Sequence, residues 1–143
     1  MDALSENVLI GLGTGLVTGL VTGLLSGYYA GVVISRTTRF YALMRDAQRA
    51  LKKVDYMQEE RRVSVRFWEP LVVGAIADDL ATDRQVAAAR EVRLQAKNIS
   101  EAVFQGSHGQ LRVKEFEGQI MEARQKIAKL RPSKRVLLPW GPL

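Results

Sequence analysis

Residues 11–34 read GLGTGLVTGLVTGLLSGYYAGVVI, with glycine at every fourth position from Gly11 to Gly31. No charged residue occurs between Val8 and Ser35. A helix of that length rises about 42 Å, and the hydrocarbon core of a bilayer is about 30 Å thick. Residues 8–35 are therefore predicted to form a transmembrane helix, which spans with tilt or protrudes at one end.

A cleaved signal peptide is the alternative interpretation of this segment. Such a peptide has a basic leader and an apolar stretch of about 7–15 residues. Here the leader, MDALSEN, is acidic, and the apolar run is much longer than that stretch. These features favour a permanent membrane anchor.

The charges predict how the anchor is oriented. All 21 Lys and Arg residues lie at Arg36 or beyond, and the chain has a net charge of +6. By the positive-inside rule, residues 1–7 are expected outside and the C-terminal region in the cytoplasm, with Arg36 and Arg39 at the membrane surface. The small size of the chain and the absence of other targeting signals favour the bacterial inner membrane.

The spacing of the glycines predicts helix–helix packing. At about 100° per residue, the first and last residues of each tetrad lie on one face, and leucine and valine lie on the other. Small residues let a second membrane helix approach closely, and hydroxyls add interhelical hydrogen bonds. The predicted packing residues are Gly11, Gly15, Gly19, Gly23, Gly27, Gly31, Thr14, Thr18, Thr22 and Ser26.

Residues 11–31 resemble the glycine-zipper class of membrane segments, whose repeated GxxxG helices pack into oligomers and, in several members, into channels or pores. The resemblance implies assembly and no particular activity, because unrelated proteins share this packing motif. Self-association is favoured over a different partner helix, since the sequence supplies no second span to fill the glycine groove.

Beyond the span, the apolar positions from Phe40 to Met57 recur in steps of three and four, which indicates a helix with one packed seam. No glycine or proline lies between Ser35 and Trp68, so a membrane-proximal helix over 36–69 is predicted to continue the span. The alternation of Val63–Phe67 indicates an extended segment as an alternative. Pro70 marks a break.

Residues 70–131 are predicted to contain a short buried helix and then a helical hairpin. Thr82 and Gln85 fit a capping box for the first hairpin helix, which is expected to run to Gln105. A glycine-containing turn follows, and the last helix is expected over residues 110–131. The predicted fold is thus all-α, with a transmembrane glycine zipper that continues into a cytoplasmic coiled-coil or helical bundle, packed within one chain or between chains.

The tail, residues 132–143, contains too many prolines for a helix. Its residues Lys134, Arg135 and Trp140 are predicted either to dock into the bundle, which is favoured, or to lie at the membrane surface. An anionic inner leaflet explains the basic charge better than nucleic acid does, because acidic residues are interleaved with the arginines.

Catalysis is not expected, because no set of reactive groups converges. The chain has no cysteine, which excludes disulfides and thiolate metal sites, and its one histidine, His108, lies in a predicted turn. No cofactor or metal site is predicted.

Two functions are consistent with these patterns. One is a structural or scaffold subunit that self-assembles and binds further protein subunits. The other is a pore-forming or holin-like oligomer that permeabilises a membrane.

Overall fold

The computed structural model describes the backbone of residues 3–59 and 62–134, and the side chains of residues 11–57 and 63–134. Within these residues the chain forms four helices and one two-stranded antiparallel sheet. The elements are α1 (Ala3–Lys52), β1 (Asp55–Glu59), β2 (Arg62–Phe67), α2 (Pro70–Thr82), α3 (Val86–Ser107) and α4 (Val113–Ala128). The chain is mostly helical, as predicted, but the sheet departs from an all-α fold.

Helix α1 has two parts with different surroundings. Every residue from Gly11 to Gly31 is exposed. From Phe40 onward, one stripe of the same helix is buried, at Phe40, Met44, Ala47 and Leu51. Steps of three and four are typical of a helix that packs one face against a core. One unbroken helix of 50 residues, about 75 Å long, therefore contains the predicted span and part of the core.

The helix ends at Lys52, so the predicted membrane-proximal helix over 36–69 is too long. The chain turns back as a β-hairpin, in which Tyr56 pairs with Val65. Val63 is fully buried and lies close to α3. A Cβ added to Gly106 would be only 3.1 Å from the Cβ of Val63. The hairpin replaces the helix because it buries Val63 against α3, whereas a straight helix would carry these residues away from the core.

Helix α2 begins with Pro70 in its first turn, and it runs antiparallel to α1, because its start lies near Lys53 and Asp83 at its end pairs with Arg39. Near its start, Val72 and Ile76 line a groove with Ala50 and Lys53 of α1. The two helices therefore lie side by side over their buried faces.

The predicted capping box at residues 82–85 does not form. Thr82 is the last residue of α2, and its hydroxyl donates to the carbonyl of Asp78 at 3.0 Å. The N–H of Gln85 donates to the carbonyl of Leu80 at 2.8 Å, and Arg84 adopts a left-handed φ of 61°. This is the pattern of a Schellman C-cap. The Thr82 hydroxyl thus stays with the preceding helix because α2 continues through this residue.

Helices α3 and α4 are antiparallel and are joined by a turn in which Gly109 has φ 72°. The N–H of Gln110 donates to the carbonyl of Gln105 at 2.9 Å and ends α3. The N–H of Arg112 donates to the Glu115 carboxylate at 3.1 Å and begins α4.

The core joins all these elements within one chain. A larger cluster of buried side chains draws on the four helices, and a smaller one joins the β-hairpin to α3 and α4. We call the described residues 36–134 the helical domain. Its proximal end, near residues 11–35, contains residues 36–39, the α2–α3 turn and residues 129–134. Its distal end contains the hairpin and the α3–α4 turn.

Candidate membrane anchor and its glycine face

Helix α1 is long and apolar enough to cross a bilayer, and no other helix in the described residues is. Large apolar side chains on residues 11–34 are exposed, among them Leu16, Leu20 and Leu24. Contiguous exposed apolar surface of this extent is unusual for a soluble monomer. The apolar surface around α1 is therefore a candidate for contact with lipid or with another helix.

The glycines form an open strip along this helix. Apart from its chain neighbours and the adjacent backbone of α1, a Cβ added at any of them would meet no atom within 4 Å. These residues are Gly11, Gly15, Gly19, Gly23, Gly27 and Gly31. Helical geometry places them on one slowly winding face, and the helical domain does not cover that face.

The hydroxyls beside the glycines donate to their own helix. The hydroxyls of Thr18 and Thr22 donate to the carbonyls four residues earlier, at 2.7 and 2.6 Å. Those of Thr14 and Ser26 donate to the carbonyls of Gly11 and Gly23, at 3.2 and 3.1 Å. Each hydroxyl hydrogen is therefore already used within α1, which the sequence pattern did not indicate. The hydroxyl oxygens can still accept hydrogen bonds.

The charged residues that follow the span are held against the rest of the helical domain. The Nε of Arg39 lies 2.8 Å from the Asp83 carboxylate, and Arg36 is exposed one turn earlier. Lys134 follows Ser133, whose N–H donates to the side-chain oxygen of Gln85 at 2.8 Å. Three of the predicted membrane-surface residues, Arg36, Arg39 and Lys134, thus lie at the proximal end. The other two, Arg135 and Trp140, lie outside the described residues.

The Gln85–Ser133 hydrogen bond has no signal in the local sequence. Gln85 is only 4% exposed, although glutamine is usually found at the surface. Its partner is 48 residues away in the chain. Only the packing of α2, α3 and α4 brings the two residues together.

The described residues contain no group of three or more His, Cys, Asp or Glu side chains arranged for a metal ion. Nδ1 of His108 lies 2.8 Å from the carbonyl oxygen of Phe104, and its ring packs against the ring of the same residue. Its Nδ1 also lies 3.2 Å from the Ser107 hydroxyl, which donates to the same carbonyl. The His108 side chain is therefore packed against the last turn of α3, on Phe104 and Ser107.

Comparison with protein-family models, with curated proteins and with solved structures finds no match to this chain.

Proposed function

We propose that this chain is a single-pass membrane anchor that self-associates through its glycine face and presents the helical domain as a scaffold subunit at the membrane surface. The observation that carries the proposal is the two-part character of α1. Residues 11–31 are exposed on every side, whereas Phe40, Met44, Ala47 and Leu51 of the same helix are buried in the domain. A bilayer supplies the apolar surroundings that the first part lacks.

Self-association follows from the form of the glycine face. Lipid tails are as apolar as leucine, so helices in a bilayer associate through close van der Waals packing rather than through the hydrophobic effect. A strip without Cβ atoms lets a second backbone approach, and a second copy of the chain offers a matching strip. We expect a right-handed crossing of about −40°.

The scaffold role rests on how the domain is attached. Because α1 is continuous from the span into the core, packing of two spans also fixes the positions of two helical domains. The distal end of each domain then points away from the span, where further protein subunits can bind. In the orientation that the positive-inside rule predicts, the domains lie in the cytoplasm.

The test is the protein-only mass of the full chain in detergent or lipid discs. Gly19→Leu with Gly23→Leu fills the strip, and we expect it to convert the oligomer to a monomer. Val17→Leu with Val21→Leu is the matched control, because it adds bulk to the opposite face of the same turns. We expect the control to keep the wild-type mass.

An unchanged mass in the glycine variant would overturn self-association through this face. A large ring that releases a trapped dye from vesicles would instead favour the pore. A protein that remains in solution when vesicles are floated would overturn the anchor itself.

A further inference from the structure

The proximal end of the helical domain carries exposed basic side chains from three separate parts of the chain. They come from the start of the domain in α1, from the α2–α3 turn, and from the segment after α4. They are Arg36, Arg39, Arg84, Lys129, Arg131 and Lys134.

Two long-range contacts bring these parts together. Arg39 pairs with Asp83 at 2.8 Å, which holds the α2–α3 turn against α1. Ser133 donates its N–H to the buried Gln85 at 2.8 Å, which holds the segment after α4 against the same turn. The basic side chains are therefore grouped by the fold rather than by the sequence.

Helix α1 keeps this group close to the end of the span, and the tilt of α1 sets its distance from the headgroups. Ser35 is the last residue of the uncharged run, and Arg39 lies four residues further along an unbroken helix. Four residues rise about 6 Å. At physiological ionic strength, charges act over a Debye length of about 8 Å. The α2–α3 turn is thus within electrostatic reach of the headgroups that would surround the end of the span.

Acidic side chains near this end already have basic or amide partners. Asp83 pairs with Arg39. Glu122 lies 2.7 Å from Lys126, whose hydrogen bond and charge lower the pKa of Glu122, while the same contact raises the pKa of Lys126. Glu91, the other acidic group acting on Lys126, accepts a hydrogen bond from Gln95 at 2.7 Å.

Asp79 lies one turn before Asp83 and is therefore farther from the span. These four acidic groups do not balance the six basic side chains of the proximal end together with Lys126. The proximal end therefore keeps a net positive charge.

We propose that the proximal end of the helical domain binds the anionic phospholipid headgroups of the bilayer that α1 crosses. The inference rests on the proposed anchor and deepens it. The guanidinium groups of Arg36 and Arg131 match the phosphate oxygens in bidentate geometry, and the ammonium groups of Lys129 and Lys134 are attracted to the negative leaflet. Binding presses the domain against the bilayer and directs the hairpin and the α3–α4 turn away from it.

The experiment uses the full chain, reconstituted in vesicles of phosphatidylcholine alone or with phosphatidylglycerol. The chain has no cysteine, so Ala87→Cys places a single fluorophore in the exposed first turn of α3, at the proximal end. Lipids with a nitroxide in the headgroup quench a fluorophore that lies at the membrane surface. We expect strong quenching in the anionic vesicles, weaker quenching in the neutral ones, and loss of the difference at high salt.

Lys129→Glu with Arg131→Glu is the decisive variant, and we expect it to lower quenching in anionic vesicles to the neutral level. Arg66→Glu with Lys114→Glu is the matched control, since it makes the same change in charge at the distal end. We expect the control to keep the wild-type quenching. If the decisive variant fails to fold, the salt titration of the labelled Ala87→Cys protein still tests whether the difference in quenching depends on charge.

Equal quenching in neutral and anionic vesicles would overturn this inference while leaving the anchor intact, because the protein still floats with the vesicles. Failure to float would overturn the proposed function instead. Binding of a duplex oligonucleotide that the decisive variant loses, with unchanged quenching, would assign the surface to nucleic acid and also overturn the inference.

Discussion

Gly106 lies where β2 crosses α3, and its missing side chain sets how closely they pack. A Cβ at this position would lie 3.1 Å from that of the buried Val63, whereas a Cβ at Gly118 in α4 would meet nothing within 4 Å. We expect Gly106→Val to lower the free energy of unfolding by about 1–3 kcal/mol, because overpacking displaces the hairpin. Gly118→Val is expected to change it by less than about 0.5 kcal/mol.

Chemical unfolding of the full chain in detergent, followed by circular dichroism, measures this difference. Equal unfolding midpoints for Gly106→Val and Gly118→Val would show that the close approach of β2 to α3 does not constrain the fold.

At the scale of elements, a hydrogen bond between described side chains joins the β-hairpin to α4. The Tyr56 hydroxyl donates to the Glu117 carboxylate at 2.7 Å. This hydrogen bond, together with partial burial and the charge of Glu117, raises the pKa of Tyr56. The folded state therefore holds the tyrosine proton more tightly than the unfolded state does. The resulting stability is present below the unfolded pKa of about 10 and is lost as the pH rises through the higher folded pKa.

We expect Glu117→Ala to move the pKa of Tyr56 back toward its ordinary value, since the acceptor and the negative charge are both removed. Absorbance titration of the phenolate, with Tyr56→Phe subtracted to isolate this group, measures the shift. Glu122→Ala is the control, because Glu122 is on the same helix but pairs with Lys126. A Tyr56 titration that is the same with and without Glu117 would contradict the assignment.

The same hairpin is the part of the fold that the sequence predicted least well. The seam of α4 was readable, because Phe116, Ile120, Ala123 and Ile127 recur at helical spacing and are all buried. The end of α1 at Lys52 could not be predicted from the spacing of apolar residues. The alternation of residues 63–67 indicated a strand, but what decides between strand and helix is the contact of Val63 with Gly106, which is distant in the chain.

At the proximal end, a local pattern was misleading. Thr82 and Gln85 have the spacing of a capping box, but Thr82 belongs to α2, and Gln85 accepts a hydrogen bond from Ser133. The helix over residues 11–31 could be predicted from the sequence, and in any helix every fourth residue lies on one winding strip. The grouping of basic residues needed the whole fold, since they come from three parts of the chain.

At the scale of the whole molecule, the continuity of α1 determines how motion passes between its exposed part and the helical domain. Thr38 is exposed and lies between the fully exposed residues 11–31 and Phe40, the first buried residue of α1. Thr38→Pro removes one backbone hydrogen bond and places the proline ring against a carbonyl, which costs about 3 kcal/mol within a helix and kinks it. We expect the domain to remain folded but to vary in its angle to the span.

Spin labels at Leu12→Cys and Lys114→Cys, in labelled protein diluted with unlabelled protein, report this angle as a distance distribution. We expect a narrow distribution for the unmodified helix and for Thr38→Ala, and a broader one centred at a shorter distance for Thr38→Pro. Distributions of equal width would mean that α1 does not act as a rigid connection.

The hydroxyls of Thr14, Thr18, Thr22 and Ser26 have a consequence for the order of events during biogenesis. Because each one donates to a carbonyl of its own helix, a lone copy of α1 entering a bilayer brings no unsatisfied hydroxyl donor from this face with it. Under the proposed function, insertion and assembly are then separate steps, and a newly made copy is stable in the membrane before it meets another. The number of copies per area of membrane, rather than the act of insertion, then determines when the complex forms.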